Sequence, residues 1–198
     1  AQGQCDGHAR HPPILVRRTG AGAGCSMIAG VSQSEHKAAA PAHVLVAVLT
    51  VSDTRTEATD TSGRAIREIL KEAGHLVIAS TIVPDDPAAV TAFITEQLSA
   101  GAQAVITTGG TGITSRDSTY EAIDALLEKR LDGFGELFRM LSYQDIGSAA
   151  LLSRALAGLS GGKVVFVVPG SRGAVRLAME KLILPELGHL AGEARKTR

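Results

Sequence analysis

The sequence predicts an α/β fold of three layers, α/β/α, in which helices cover both faces of a mostly parallel sheet. Residues 44–51 and 163–168 are near-continuous apolar runs, as expected for strands buried on both faces. Such runs alternate with segments of helical apolar spacing, which is typical of parallel strands joined by helical crossovers. Aromatic residues make up only 3% of the chain and tryptophan is absent, so Ala, Val, Leu and Ile have to build the core.

Capping residues define the first two helices. Asp60 is predicted to cap a helix that begins at about residue 61 and is ended by Gly74. Asp86 followed by Pro87 marks the start of a second helix, which runs to about Ser99. The predicted strands around these helices are residues 44–51, 75–83 and 102–108.

The second half of the chain is predicted to be mainly helical. Ser118-Thr119-Tyr120-Glu121 has the pattern of a capping box, for a helix that reaches about Lys129. Residues 134–157 are predicted to form a helix in two pieces, broken near Gly147. The remaining elements are a strand at residues 163–168 and a last helix that begins near Ser171 and is kinked or restarted at Pro185.

The chain is predicted to consist of a disordered tail, residues 1–41, and one domain, residues 42–198. The tail is rich in Gly, Ala, Ser and His and has no sustained periodicity, so it has little apolar surface to bury. Met27 follows a glycine-rich run in this tail. We therefore hypothesise that the native protein begins at Met27.

Charge and cysteine content restrict the function. Lys and Arg together number 20, as do Asp and Glu, and a chain of zero net charge is a poor candidate for general nucleic-acid binding. No apolar run approaches transmembrane length, so we predict no membrane partner. Cys5 and Cys25 both lie in the predicted tail, which argues against a disulfide framework and is compatible with a cytoplasmic location.

Polar segments follow each predicted strand. In a parallel sheet, ligands bind at the carboxyl ends of the strands, so these segments are predicted to meet at one edge. They are Ser52-Asp53 with the loop to Gly63, Pro84-Asp85-Asp86, Thr108 to Asp117, and Pro169-Gly170-Ser171.

The segment Thr107-Thr108-Gly109-Gly110-Thr111-Gly112 is the most informative of these. Glycine lets the backbone approach a ligand closely, and successive free N–H groups can form an anion-binding nest. The segment lacks the Gly-Lys-Ser/Thr of a P-loop and the glycine spacing of a dinucleotide fingerprint. Taken alone, it is equally well interpreted as a tight turn.

One carboxylate beside this loop, that of Asp117, favours a metal–phosphate site. Asp117 would repel a phosphate held by the loop unless Mg²⁺ bridged the two, although it could instead cap the next helix. Arg116 could contact phosphate or be solvated. Asp85 is free to face the cleft if Asp86 is the helix cap, although a surface turn is the simpler interpretation. Ser171 could cap the last helix or bind phosphate.

Together, these residues resemble the MoaB/Mog family of molybdenum-cofactor biosynthesis proteins. Thr107 to Gly112 followed by Arg116-Asp117 is similar to the TTGGTG…RD signature of molybdopterin-binding domains. The resemblance covers about residues 43–192 and implies the molybdopterin-binding-domain fold. Further matching motifs, in the family's order, are Val51-Ser52-Asp53, Asp60 to Gly63, Val83-Pro84-Asp85, Gly133 to Arg139, and Pro169-Gly170-Ser171.

The resemblance implies a molybdopterin adenylyltransferase, in which the phosphate of molybdopterin attacks the α-phosphate of MgATP and pyrophosphate leaves. Asp85 and Asp117 would then be the catalytic and Mg²⁺-binding carboxylates. The residues implied to hold molybdopterin are Thr108, Gly109, Gly110, Thr111, Gly112 and Ser171. Those implied to hold the nucleotide are Ser52, Asp53, Asp60, Ser62, Gly63, Pro169 and Gly170.

Alternatives to the enzyme remain open. Ser171-Arg172-Gly173-Ala174 is more similar to the MoaB branch, some of whose members do not appear to be active, so a non-catalytic molybdopterin-binding or carrier protein is the second hypothesis. A nucleotide pyrophosphatase of CinA type ranks last, because such proteins normally carry an additional C-terminal domain. The family also suggests self-association as a trimer or hexamer, and other molybdenum-cofactor enzymes as further partners.

Overall fold

The structure is a computed structural model and describes residues 41–115 and 117–196. The predicted disordered tail with Met27 and both cysteines lies outside the described residues except for its last residue, Pro41, and Arg116 is not described either. Within the described ranges, no helix is both long and apolar enough to span a membrane.

Within the described residues, six strands form one sheet in the order β2-β1-β3-β6-β5-β4. The first four strands in this order are parallel to one another, whereas β5 is antiparallel to β6 and β4 is antiparallel to β5. Their bounds are β1 Leu45–Val51, β2 Leu76–Val83, β3 Ala104–Thr108, β4 Lys129–Arg130, β5 Leu156–Ser160 and β6 Lys163–Val168.

Helices lie on both faces of this sheet, as the sequence predicts. Alternate residues of β1 point to opposite faces, so Val46 and Val48 belong to one apolar cluster while Ala47 and Leu49 belong to the other. Four helices (α1, α4, α5 and α6) contribute to the first cluster, and α2 and α3 contribute to the second. The helices are α1 Thr61–Glu72, α2 Pro87–Ser99, α3 Thr119–Asp124, α4 Asp132–Ile146, α5 Arg172–Ala178 and α6 Leu184–Ala194.

The predicted caps of α1 and α2 are confirmed. A carboxylate oxygen of Asp60 accepts a hydrogen bond from the amide of Gly63 at 2.8 Å, and one of Asp86 accepts from the amide of Ala89 at the same distance. Each cap satisfies one of the amide groups that a helix leaves unpaired at its first turn. Because β1 and β2 end directly before these loops, the caps hold the first two strand-end loops in place.

Two predictions for residues 118–157 were wrong. Residues 156–157, predicted to end the helix, belong to strand β5. The predicted break near Gly147 is confirmed, since α4 ends at Ile146 and Gly147–Leu152 is a 3₁₀-helix. The reason for the strand is pairing: β5 is held by β6, from which it is separated by a two-residue turn, and by the two-residue strand β4. The predicted capping box is also absent, since Ser118 makes no side-chain cap and α3 ends at Asp124 instead of near Lys129.

The last helical region restarts before Pro185, as predicted. After α5, residues Met179–Ile183 form a π-helical turn, and α6 then begins at Leu184 with the proline in its first turn. A proline tolerates this position because its missing N–H group would be unpaired there anyway.

Candidate active site

Loops that follow β1, β2, β3 and β6 meet at one edge of the sheet and are joined by hydrogen bonds. Ser62 donates its hydroxyl to the carbonyl of Gly170 at 2.8 Å, which joins the first loop to the last. The amide of Asp85 donates to a carboxylate oxygen of Asp53 at 3.1 Å, which joins the first loop to the second. Thr108 donates its hydroxyl to the carbonyl of Pro169 at 3.1 Å. The strand-end segments therefore form a single site.

The loop after β3 requires glycine at two positions. Gly109 has φ +98°, and a Cβ atom there would lie 2.2 Å from the carbonyl oxygen of Val51. Gly110 has φ +63°, and a Cβ atom there would lie 2.3 Å from the Thr119 hydroxyl and 2.8 Å from Asp85 Oδ2. Both a positive φ and the absence of a side chain are needed. The loop thus brings its backbone against β1 on one side and Asp85 on the other.

The threonines of this segment face inward. Thr107 and Thr108 are fully buried, and their hydroxyls donate to the carbonyls of Phe166 and Pro169. Thr111 is also buried, with 6% of its surface exposed. The hydroxyl of Thr108 is used inside the protein, and so is the amide of Gly109, which donates to the carbonyl of Val168 at 3.1 Å. The polar groups of this segment best placed for a ligand are therefore those of the backbone from Gly110 onward.

Asp85 connects the second loop to the start of α3. Its Oδ1 atom accepts hydrogen bonds from the Thr119 hydroxyl at 2.9 Å and from the amide and hydroxyl of Ser118 at 3.3 and 3.4 Å. The side chain is half-buried, so it is not part of a simple surface turn. Sequence reasoning missed Thr119, because it assigned this residue only to the first turn of a helix.

Asp117 lies beside the last glycine of the loop, where its carboxylate touches the position that a Cβ atom of Gly112 would occupy. It accepts hydrogen bonds from the hydroxyl and the amide of Thr114, the latter at 3.0 Å. The bond from the Thr114 hydroxyl is the main reason that the pKa of Asp117 lies below its ordinary value. The side chain is therefore negatively charged at neutral pH, and its described partners lie in its own loop rather than in α3.

Arg154 is a site residue that sequence reasoning missed. Its guanidinium donates to the carbonyl of Gly112 at 2.8 Å, forms an ion pair with Glu121, and lies over the ring of Tyr120 at 4.2 Å from its centroid. The hydrogen bond from Arg154 lowers the pKa of Glu121. Nothing in the sequence identified Arg154, because it falls in the stretch that was predicted to be helical.

Three residues with an implied nucleotide contact are buried. Both carboxylate oxygens of Asp60 are occupied, one by the amide of Gly63 and the other by the Thr50 hydroxyl at 2.8 Å. A Cβ atom at Gly63 would lie 2.2 Å from that carboxylate. Ser62 is only 1% exposed and uses its hydroxyl on Gly170. These side chains shape the loop from inside, and the geometry lends no support to a direct contact with nucleotide.

The remaining strand-end residues are more accessible. The Ser52 hydroxyl accepts from the amide of Arg55 at 3.2 Å, which tightens the turn after β1, and Asp53 is exposed. Ser171 caps α5 by accepting from the amide of Ala174 at 3.2 Å. Gly170 lies against Gly109, since a Cβ atom at Gly170 would be 3.2 Å from the Gly109 Cα atom.

Two clefts lie beside the site. A cleft of about 850 Å³ is lined by the loop after β1, including Ser52 and Asp53, by the first two turns of α1 and by the C-terminal half of β2. Another, of about 270 Å³, is lined by Pro169 and Ser171 together with parts of α4 and the 3₁₀-helix. The strand-end site therefore has two separate clefts, each of which could hold part of a ligand.

The two carboxylates suit a magnesium ion only together with other ligands. Among the described residues, no three His, Cys, Asp or Glu side chains are grouped in a way that could hold a metal on their own. Mg²⁺ prefers oxygen ligands and is usually bound by one or two carboxylates plus water and substrate phosphates. Asp85 and Asp117 supply carboxylate oxygens of this kind beside the glycine loop.

Comparison with known proteins places the chain in a family. Residues 47–189 match the family model described as "Probable molybdopterin binding domain". Molybdenum cofactor biosynthesis protein B of Bacillus cereus is 56% identical over 165 residues, which are 82% of this chain and 98% of the relative.

Solved structures agree with this assignment. A crystal structure of a molybdenum cofactor biosynthesis protein B has a TM-score of 0.76 at 56% identity and covers 80% of this chain and 99% of its own. The tungsten cofactor synthesizing protein MoaB from Pyrococcus furiosus has a TM-score of 0.72 at 43% identity, covering 79% and 100%. The chain therefore belongs to the molybdopterin-binding domain family and, within it, to the MoaB/Mog group of molybdenum cofactor biosynthesis proteins.

Proposed function

We propose that the protein adenylylates molybdopterin. In the reaction, an oxygen of the molybdopterin phosphate attacks the α-phosphorus of ATP, the bond from that phosphorus to the bridging oxygen breaks, and pyrophosphate leaves with the bonding electron pair. The observation that carries the proposal is the placement of two carboxylates beside one glycine loop at the carboxyl edge of the sheet, Asp85 next to Gly110 and Asp117 next to Gly112.

The attacking group is already an anion, so the reaction needs no base to activate it. The barrier arises from bringing two anionic phosphates together, and catalysis can consist of alignment and charge compensation. The backbone from Gly110 to Gly112 would supply dipoles at the ligand without adding negative charge. When bound, Mg²⁺ would neutralise phosphate charge and polarise the reacting phosphorus. Asp85 and Asp117 are the residues that would hold it.

The two clefts support a division of the substrates. Ser52 and Asp53 line the larger cleft, on the side where nucleotide contacts are predicted. Ser171, predicted to hold molybdopterin, lines the smaller one together with Pro169, which was predicted on the nucleotide side. In this arrangement the phosphates of both substrates would meet at the glycine loop. Arg154 holds that loop through the carbonyl of Gly112.

The test is the change Asp117→Ala, measured as pyrophosphate release from MgATP and molybdopterin. We expect a loss of at least about a hundredfold in turnover, because a charge-compensating group at the reacting centre is removed. Asp132→Asn, a change of an exposed carboxylate at the start of α4, is the matched control and should retain full activity. Normal turnover by a folded Asp117→Ala protein would refute the proposed role.

A second candidate is a non-catalytic molybdopterin-binding protein. It is favoured by the hydrogen bonds to Asp85 Oδ1 from Ser118 and Thr119, which make this carboxylate a structural connection between two loops. This candidate predicts that the wild-type protein binds molybdopterin but releases no pyrophosphate from MgATP. The same assay therefore separates the two functions.

We also propose that the chain self-associates, as the trimer or hexamer that the family resemblance implies. Supporting this, α4 and the 3₁₀-helix after it expose six large apolar side chains, which we call the apolar face. A monomer rarely leaves such a group of side chains in water. The apolar face consists of Leu137, Met140, Tyr143, Ile146, Leu151 and Leu152.

A further inference from the structure

The larger cleft contains a group of arginines that the reaction scheme above does not use. Arg55, from the loop after β1, and Arg64 and Arg67, from the first two turns of α1, all line this cleft of about 850 Å³. We call it the arginine groove. It extends along the C-terminal half of β2 and includes Asp53, whose carboxylate accepts a hydrogen bond from the amide of Asp85.

The described contacts hold these guanidinium groups in place without neutralising two of them. Arg55 donates to the carbonyl of Thr59 at 2.8 Å, and Arg64 donates to the carbonyl of Glu57 at 3.2 Å. Both acceptors are uncharged, and neither arginine has a carboxylate partner in the part of the chain that the structure describes. Because a guanidinium carries five N–H donors, each retains several for a ligand.

Arg67 is more restrained than the other two. It donates to the Ser80 hydroxyl at 2.9 Å, and its guanidinium nitrogen lies 3.9 Å from the buried carboxylate of Asp60. Three carboxylates, those of Asp53, Glu57 and Asp60, also line the groove, so the arginines provide local donors rather than a net positive charge. Asp53 and Asp60 accept hydrogen bonds from amide and hydroxyl groups of the protein, and the carboxylate near Arg67 is that of Asp60. The groove therefore presents fixed, positively charged donors next to the reacting centre.

We propose that Arg55 and Arg64, with Arg67 behind them, form the subsite for the β- and γ-phosphates of the nucleotide and for the pyrophosphate that leaves. This inference rests on the proposed function. When the α-phosphorus–oxygen bond breaks, the electron pair and its negative charge pass to the pyrophosphate. Arginine forks bind such oxygens with two parallel, charge-assisted hydrogen bonds. The subsite thus stabilises the charge that develops on the leaving group.

The test is calorimetric titration of inorganic pyrophosphate, with and without Mg²⁺, into the wild-type protein and into Arg55→Gln and Arg64→Gln. We expect each substitution to weaken pyrophosphate binding by about tenfold or more, because a hydrogen bond between charged partners is lost. Arg176→Gln is the control, since Arg176 lies on α5, pairs with Glu180 and does not line the groove. It should bind pyrophosphate like the wild type.

AMP is the second probe, because it lacks the β- and γ-phosphates. If the arginines only organised the loop after β1, their loss would weaken AMP and pyrophosphate binding alike, whereas the subsite predicts that AMP affinity stays unchanged. Pyrophosphate affinity that is unaffected in both variants, or undetectable in the wild type, would overturn the inference. Arginine-dependent pyrophosphate binding without adenylyl transfer would support the subsite and reject the proposed function. Adenylyl transfer by the wild-type protein, together with unaltered pyrophosphate binding in the arginine variants, would support the proposed function and reject the subsite.

Discussion

The central strands and the antiparallel edge of the sheet have different roles. The central strands, β1, β3 and β6, are buried along almost their whole length, and the loops after them form the candidate active site. The antiparallel edge comprises β4, β5, α4 and the 3₁₀-helix, and it exposes the apolar face. The buried central strands thus support the candidate active site, whereas the antiparallel edge leaves apolar side chains exposed to solvent.

This difference indicates where substitutions should affect the fold and where they should affect association. Around the central strands, loop atoms are in close contact with the strand backbone, so an added side-chain atom would clash with it. At the antiparallel edge, many side chains face solvent, so their loss costs little in the monomer.

The largest expected effect is that of Gly109→Ala. Strain at φ +98° and a contact of 2.2 Å with the Val51 carbonyl should together reduce the free energy of unfolding by about 3–5 kcal/mol. The control is Gly133→Ala at the antiparallel edge, where a Cβ atom meets nothing within 4 Å and which should change stability by no more than about 1 kcal/mol. Urea denaturation measures both. Equal stabilities of the two variants would refute the contrast.

Asp60→Ala should have the next largest effect. It removes the cap of α1 and leaves the buried Thr50 hydroxyl without its acceptor, for a loss of about 2–3 kcal/mol. Asp86→Ala removes only an exposed cap, so its expected cost is about 1 kcal/mol. Thermal unfolding of the two variants gives the difference. If Asp60→Ala lowers the free energy of unfolding no more than Asp86→Ala does, the buried hydrogen bond between Thr50 and Asp60 does not contribute to stability.

Leu151→Ser and Met140→Ser should alter association but not folding. These side chains are 84% and 51% exposed, so each change should shift the free energy of unfolding of the monomer by about 0.5 kcal/mol or less. We expect the oligomer mass in sedimentation experiments to fall towards that of the monomer. Leu76→Ser, at the other end of the sheet and 55% exposed, is the control and should leave the mass unchanged. An unaltered mass in all three variants would exclude the apolar face as the interface.

The smallest effect concerns the acid dependence of Asp117. The hydrogen bond from the Thr114 hydroxyl lowers the pKa of this carboxylate, so Thr114→Val should raise that pKa towards its ordinary value, as measured by NMR titration. The folded pKa is depressed, so the interaction stabilises the fold above the unfolded pKa and is lost as the pH falls through the folded value. The carboxylate is largely solvated, so the effect on stability should be small. An unchanged titration in Thr114→Val would contradict the assigned cause.

Local patterns were sufficient to predict the parallel part of the fold. Strands that are buried on both faces are recognisable as continuous apolar runs. Asp60 and Asp86 mark the starts of their helices because each bonds to an amide only three residues further along the chain. In contrast, β4 has two residues and β5 has five, and each exists because a partner strand pairs with it. Such short strands have no periodicity of their own, which is why residues 156–157 were assigned to a helix.

The sequence by itself determined the order of the strand-end loops, the glycines of the central loop and the family to which the chain belongs. Only the tertiary structure decided which side chains face the site, because that depends on partners distant in sequence. The side chain of Asp60 turns inward to Thr50, and that of Thr108 turns inward to Pro169. Arg154, in contrast, reaches the glycine loop at Gly112, which is 42 residues away along the chain. The arginine groove likewise exists because α1 is packed beside β2, so that Arg67 on the helix meets Ser80 on the strand.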